Sequence, residues 1–305
     1  MKNVFKYLLV VTAILVLSNG SILSAQDVSI FTLKNGNQLS YVEYGNMNGK
    51  TLFYFHGFPG SHMDVPLFKG DSIAAELNIR LIAVNRPGYY LSTPAVNYTL
   101  IQWAEDLEEL ADHLNLQKFS ILGYSGGAPF ALAYAYSYPD RLENVGIVCG
   151  MGPANAPKAK KGSAMLIPKA PRLIMKGMSK MLVENPDKFK ANMSKNAPFP
   201  DQHFYRKDEN EVNLMKTIRK GLENGTEGAI QDAKIYKKKW GFELKNINRE
   251  IILWHGVQDK NVPIETARYV VENLQECHYK FYNEEAHLSL FFNHTEEIFL
   301  TLTNK

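Results

Sequence analysis

Phe119-Ser120-Ile121-Leu122 runs into Gly123-Tyr124-Ser125-Gly126-Gly127, and a helix-forming run begins at Ala128. An apolar stretch, a glycine-flanked serine and a helical stretch in that order spell strand, sharp turn, helix. A serine at such a junction takes a strained backbone conformation. Gly123 and Gly126 leave room for the turn, and Oγ is lifted clear of the sheet. Ser125 is therefore the candidate nucleophile. The G-x-S-x-G spacing fixes only three positions in five and recurs by chance, so the rest of the chain must supply the partners such a serine needs.

Upstream, Val28 to Leu33 and Gln38 to Tyr44 read as strands around Lys34-Asn35-Gly36-Asn37, whose Asn-Gly pair is a hairpin signal. Thr51-Leu52-Phe53-Tyr54-Phe55 is continuously apolar, as expected of a strand buried on both faces of a parallel sheet. It ends in His56-Gly57-Phe58-Pro59-Gly60-Ser61. A helix around Asp71 to Leu77 leads to the strand Leu81 to Val84 and the turn Arg86-Pro87-Gly88. Thr99-Leu100-Ile101-Gln102 is a capping box, and Leu100, Trp103, Leu107, Leu110 and Leu114 follow as one apolar stripe, so a helix starts there and packs on the sheet.

Downstream, a helix from Ala128 to about Tyr138 is stopped by Pro139, and Val145 to Val148 forms the next strand. The alternation implies an α/β fold with a mostly parallel, doubly wound sheet and helices on both faces. Residues 151–248 break the rhythm. They hold no convincing strand, but helical stretches at Arg172 to Leu182, Glu209 to Leu222 and Glu227 to Lys239, and seven of the ten methionines (Met151, Met165, Met175, Met178, Met181, Met193, Met215). They read as an inserted helical cap between core segments 26–150 and 249–305. The core resumes with the strand Ile251 to Trp254, a helix from Ile264 to Leu274, the strand Tyr279 to Tyr282 and a last helix through Phe299.

At 305 residues and 45% hydrophobic content, the chain can bury one large core or two modest ones. The net charge of +3 conceals a strong asymmetry: residues 154–248 carry 20 Lys/Arg against 10 Asp/Glu. A basic cap thus sits on an acidic body. Clusters such as Lys158-Lys160-Lys161 and Lys237-Lys238-Lys239 are either a solvated face or a weak docking surface for an anionic membrane or polymer, and no nucleic-acid motif accompanies them.

Lys2 and Lys6, the apolar run Tyr7 to Leu17 and small residues ending at Ala25 have the layout of a secretory signal, so residues 1–25 are expected to be removed and the protein exported. The apolar run is short of the roughly 20 residues that span a bilayer. With only Cys149 and Cys277, placed at opposite ends of their strands, no disulfide is expected.

Ligands in open α/β sheets bind beyond the carboxyl ends of the strands. Besides the Ser125 turn, two loops at such ends carry suitable groups: His255-Gly256-Val257-Gln258-Asp259 offers Asp259, and Glu284-Glu285-Ala286-His287 offers His287. A serine hydroxyl attacks a carbonyl only if an imidazole takes its proton and a carboxylate fixes the imidazole's tautomer. Ser125, Asp259 and His287 supply the set, with Asp232 or a nearby glutamate as the alternative acid. His56 reads as a structural hydrogen-bonder, and His62 as a structural residue with lining of the pocket as the alternative.

Five stretches together resemble the α/β-hydrolases: His56-Gly57-Phe58-Pro59-Gly60-Ser61, Arg86-Pro87-Gly88-Tyr89, Gly123 to Gly127, His255-Gly256 with Asp259 and Val262-Pro263, and Ala286-His287-Leu288. The resemblance spans residues 28 to 302. It implies a Ser125/His287/Asp259 triad and an oxyanion hole from the backbone N–H groups of Phe58 and Gly126. Gly228-Ala229-Ile230-Gln231-Asp232 followed by Trp240-Gly241-Phe242 is similar to capped members such as proline iminopeptidases and small esterases. Where many relatives have Asp, Gly and Gly, this chain has Asn85, Tyr90 and Ala286.

The expected activity is that of a capped serine hydrolase cleaving a small or medium apolar ester through an acyl-enzyme, needing no metal or cofactor. The partner is a small-molecule ester, or an aminoacyl substrate if the chain is instead an aminopeptidase. That alternative needs cap carboxylates for the free amine, for which Glu209, Glu211, Glu223 and Glu227 are available. A low-turnover binding or sensor protein with the same groups is the third reading.

Overall fold

The computed structural model describes residues 27–157, 171–195, 197–206 and 208–304. The expected signal segment, 1–25, and the lysines at 158, 160 and 161 lie outside them. The eight strands are β1 (Ser29–Thr32), β2 (Gln38–Gly45), β3 (Lys50–Phe55), β4 (Ile79–Val84), β5 (Phe119–Tyr124), β6 (Leu142–Val148), β7 (Ile251–Gly256) and β8 (Cys277–Tyr282). They form one sheet in the order β1-β2-β4-β3-β5-β6-β7-β8. β2 runs antiparallel to both β1 and β4, and all later neighbours are parallel.

The hairpin expected at the N-terminus forms: Leu33 N–H donates to the Asn37 carbonyl at 2.8 Å, and Gly36 takes φ +85°. In β3 the side chains alternate between two apolar layers. Phe53 and Phe55 pack with Trp103, Phe130 and Ile121 on one face, while Leu52 and Tyr54 pack with Phe291, Ile298 and Phe299 on the other.

Helices α1 (Asp64–Leu67) and α2 (Gly70–Glu76) join β3 to β4, and α3 (Leu100–His113) precedes β5. Thr99 and Gln102 make the expected reciprocal cap: Gln102 N–H donates to Thr99 Oγ1 at 3.2 Å, and Thr99 N–H to Gln102 Oε1 at 3.0 Å. α4 (Ala128–Ser137) follows β5.

Among the described residues, five helices lie between β6 and β7: α5 (Pro171–Glu184), α6 (Pro186–Lys195), α7 (Phe199–Tyr205), α8 (Asp208–Gly221) and α9 (Glu227–Ile235). α6 and α7 were not anticipated from the sequence: α6 is mostly polar, with Phe189 its buried residue, and α7 has only seven residues. α9 also ends four residues before the expected Lys239; its last turn tightens, with Lys237 N–H reaching Lys234 O and Lys238 N–H reaching Ile235 O. α10 (Ile264–Asn273) and α11 (His287–Thr303) complete the chain. Both cysteines are free thiols. No helix among the described residues is long and apolar enough to cross a membrane.

Candidate active site

Ser125 sits between β5 and α4 with φ +52°, a left-handed conformation that a non-glycine residue adopts only when its surroundings impose it. The imposing feature is close backbone packing. A Cβ on Gly127 would lie 2.1 Å from the Phe55 carbonyl oxygen, and one on Gly126 would meet Phe58 Cβ and Tyr236 Oη, each at 2.6 Å. Ser125 itself is 3% exposed.

The structure brings together the three side chains expected to act. His287 Nε2 lies 2.9 Å from Ser125 Oγ, and His287 Nδ1 lies 2.7 Å from Asp259 Oδ2. A carboxylate only accepts, so Nδ1–H donates to Asp259 and Nε2 is left to accept from Ser125 Oγ–H. Asp259 is held in turn by the Asn261 and Val262 amides, which donate to Oδ1 at 2.7 and 2.8 Å. Burial depresses the His287 pKa, but the charge and hydrogen bond of Asp259, with the charge of Asp201, together offset it, and the net displacement is upward. For Asp259, burial acts upward and the imidazole with the loop hydrogen bonds outweighs it, so its carboxyl is held below the ordinary range.

Asp232, the alternative acid, is elsewhere. Its Oδ2 accepts from Arg86 Nε at 3.0 Å, Arg86 Nη2 at 2.7 Å and Tyr89 Oη at 3.0 Å, all buried. Arg86 also donates to the His56 carbonyl through Nη1 and to the Gly57 carbonyl through Nη2. From the other side, Gly57 N–H donates to Asp64 Oδ2 at 2.8 Å, and Asp64 Oδ1 accepts from Thr217 Oγ1 of α8. The peptide groups just before Phe58 are thus pinned on both sides, and the Phe58 amide has no acceptor among the described residues. Tyr236 Oη donates to the Gly126 carbonyl at 2.9 Å, and its ring packs edge-on against Phe58.

His56, His62 and His255 make structural hydrogen bonds. His56 Nδ1 pairs with the Gly57 carbonyl at 2.8 Å, and Nε2 accepts from Arg86 N–H. His62 is held by Asn85, the residue that stands where many relatives have Asp. Tyr90 takes φ +48°, which explains a glycine preference at that place. His255 Nε2 lies 2.8 Å from the Val262 carbonyl and supports the Asp259 loop. Cys149, His255 and Asp259 could present metal-ligand atoms within 4.8 Å of one another, but both Asp259 oxygens are already engaged.

Of the carboxylates suited to an amine, Glu209, Glu223 and Glu227 are exposed. Glu223 pairs with Lys220 at 2.8 Å, and Glu227 accepts from the Thr226 amide. The side chain of Glu211 lies outside the described residues. Sequence reasoning missed Asp64 and gave the Arg86 of the Arg86-Pro87-Gly88-Tyr89 stretch no partner, because both act through buried contacts with residues distant in the chain that no local pattern signals.

A family model described as the alpha/beta hydrolase fold matches residues 50–294. Among curated proteins, a putative proline iminopeptidase of Mycoplasma pneumoniae is 32% identical over 111 residues, 36% of this chain and 36% of that protein. The match therefore spans only about a third of that relative's length. Among solved structures, a hydrolase from Pseudomonas aeruginosa superposes with TM-score 0.68 at 17% identity, covering 92% of this chain and 100% of that one. An esterase from Exiguobacterium antarcticum superposes with TM-score 0.64 at 18% identity, covering 90% and 98%.

Proposed function

Since this chain belongs to the α/β-hydrolase family, we propose that it is a serine hydrolase that cleaves a small or medium apolar carboxylic ester through an acyl-enzyme. The observation that carries the reading is the hydrogen-bonded line from Ser125 Oγ through His287 to Asp259, ending on a serine in a left-handed turn.

Ser125 Oγ attacks the ester carbonyl as His287 Nε2 takes its proton, and Asp259 stabilises the imidazolium that forms. The developing oxyanion is received by the amides of Phe58 and Gly126. His287 returns the proton to the leaving alkoxide, leaving Ser125 acylated. Water then attacks the acyl group with His287 again as base, and the carboxylic acid departs.

The acyl preference rests on the cap. Met175 and Met215 are buried, and Met178, Met181 and Met193 are partly buried, in the same apolar cluster as Tyr124, with Phe58 packed against it. Thioethers accommodate varied apolar shapes. The aminopeptidase reading draws on the iminopeptidase relatives, but the described glutamates named for the amine are solvent-exposed.

Turnover of p-nitrophenyl acetate, p-nitrophenyl butyrate and prolyl p-nitroanilide separates the two. Each methylene buried contributes about 0.8 kcal/mol, or up to roughly fourfold in kcat/KM, so the butyrate is expected to exceed the acetate, and the prolyl anilide to be a poor substrate. A prolyl anilide cleaved faster than both esters would replace the esterase reading with the aminopeptidase one.

A further inference from the structure

α11 opens at His287, so the helix start sets the position of that imidazole. A helix N-terminus leaves its first amides without intrahelical partners, and an N-cap side chain usually supplies the acceptor. Here the N-cap is Ala286, which has none. The acceptor comes instead from α7, inserted 87 residues earlier: Asp201 Oδ1 receives Leu288 N–H at 3.0 Å and Ser289 N–H at 2.9 Å. Asp201 is 2% exposed, and a carboxylate at the positive end of a helix is favourably placed. Ser289 Oγ meanwhile accepts from Ala286 N–H at 2.9 Å, closing the turn from the chain's own side.

We propose that Asp201 is a positioning residue for the hydrolysis, holding His287 in line with Ser125 and adding a negative charge that favours the imidazolium. The proposal rests on the serine-hydrolase reading. Two effects follow from one carboxylate. The paired hydrogen bonds fix where α11 begins, and hence the 2.9 Å approach of His287 Nε2 to Ser125 Oγ. The charge acts on His287 alongside that of Asp259, and both raise its basicity against burial.

The other groups around this centre are His255, which faces Asp259, the Cys149 thiol 3.7 Å from the Ala286 carbonyl, and Tyr124, whose hydroxyl donates to the His287 carbonyl. Burial and the Asp259 charge push the Cys149 thiol well up. Burial and the surrounding acidic groups, Cys149 first among them, do the same to the Tyr124 hydroxyl, while burial holds His255 below its ordinary value. All three are therefore neutral near pH 7, which leaves Asp259 and Asp201 as the carboxylates whose charge acts on the imidazole; burial raises the Asp201 carboxyl, and the Ser289 and Leu288 amides and the His287 charge work against that rise. Because α7 belongs to the inserted helices, docking of the cap thereby orders part of the catalytic centre.

The test uses the full chain and a fluorophosphonate probe, whose reaction with a serine nucleophile needs no knowledge of the natural substrate. The rate of labelling is measured against pH for the wild type, Asp201→Asn and Asp201→Ala, with the melting temperature and circular dichroism of each. Asp201→Asn keeps an acceptor oxygen and loses the charge. It is expected to label within a few-fold of the wild type at its optimum, with the acid limb moved to lower pH by about half a unit or more. Asp201→Ala also loses the acceptor and is expected to be slower by about tenfold or more, with its limb displaced the same way.

Folded variants whose profiles superimpose on the wild type would overturn the proposal. So would a loss of rate that tracks lowered melting temperature with an unmoved acid limb, the mark of a purely structural cap. A wild type that the probe does not label would remove the serine-hydrolase reading itself, and this inference with it.

Discussion

The Arg86 guanidinium and the Asp232 carboxylate meet at 2.7 Å with both side chains buried, joining α9, one of the helices inserted between β6 and β7, to the loop that carries Phe58. Burial raises the Asp232 carboxyl, and Arg86 with the Tyr89 and Tyr236 hydroxyls works against that rise. Oδ1 of Asp232 has no partner among the described residues, so the whole group depends on Oδ2 and its donors.

Taking away one member of such a pair strands the other as a buried charge, at a cost of about 3–5 kcal/mol. Asp232→Asn and Arg86→Met are therefore each expected to lower unfolding free energy by that order in urea titrations. The double variant Arg86→Met/Asp232→Leu is expected to recover part of the loss. A single variant within about 0.5 kcal/mol of the wild type would show that the pair does not hold α9 to the loop that carries Phe58.

Arg86 and Asp232 also mark the limit of what could be read from the chain. The sheet, its hairpin and the three loops bearing Ser125, Asp259 and His287 were legible, because period, glycine turns and strand ends are local signals. The partner of Asp232 lies 146 residues away, and its sequence surroundings fitted a stand-in catalytic acid equally well. Asp201 was invisible for the same reason. It lies on a seven-residue helix that starts after Pro198 and carries Pro200 in its first turn, and its carboxylate accepts from the first turn of a helix that begins at residue 287. Asn85 and Tyr90 were recognised as departures, but their roles, an anchor for His62 and a left-handed turn residue, needed three dimensions.

Gly126 has little room for a side chain. An added Cβ would stand 2.6 Å from both Phe58 Cβ and Tyr236 Oη, so Gly126→Ala must push the Phe58 loop away from the nucleophile. Losing one oxyanion donor costs on the order of 10²- to 10³-fold in kcat, and that loss is expected with KM for p-nitrophenyl butyrate changed far less. Wild-type kcat in Gly126→Ala would place the oxyanion elsewhere.

The pH dependence follows from His287. Only the neutral imidazole can take the Ser125 proton, and its pKa is displaced upward, burial being outweighed by the Asp259 and Asp201 carboxylates together. kcat/KM for ester hydrolysis is therefore expected to fall as pH drops through a midpoint above the ordinary histidine value of about 6.5. Asp259→Asn removes the charge that raises it, so the residual activity, lower by about 10⁴-fold, should keep its acid limb at lower pH. A wild-type midpoint well below 6 would contradict the assignment of His287 as the base.

The central claim is that Ser125 is the nucleophile, and the most direct measurement is the stoichiometry and position of fluorophosphonate attachment, read by mass spectrometry of the intact and digested protein. One adduct per chain is expected, carried on Ser125. An unlabelled folded protein, or an adduct on any other residue, would contradict the account.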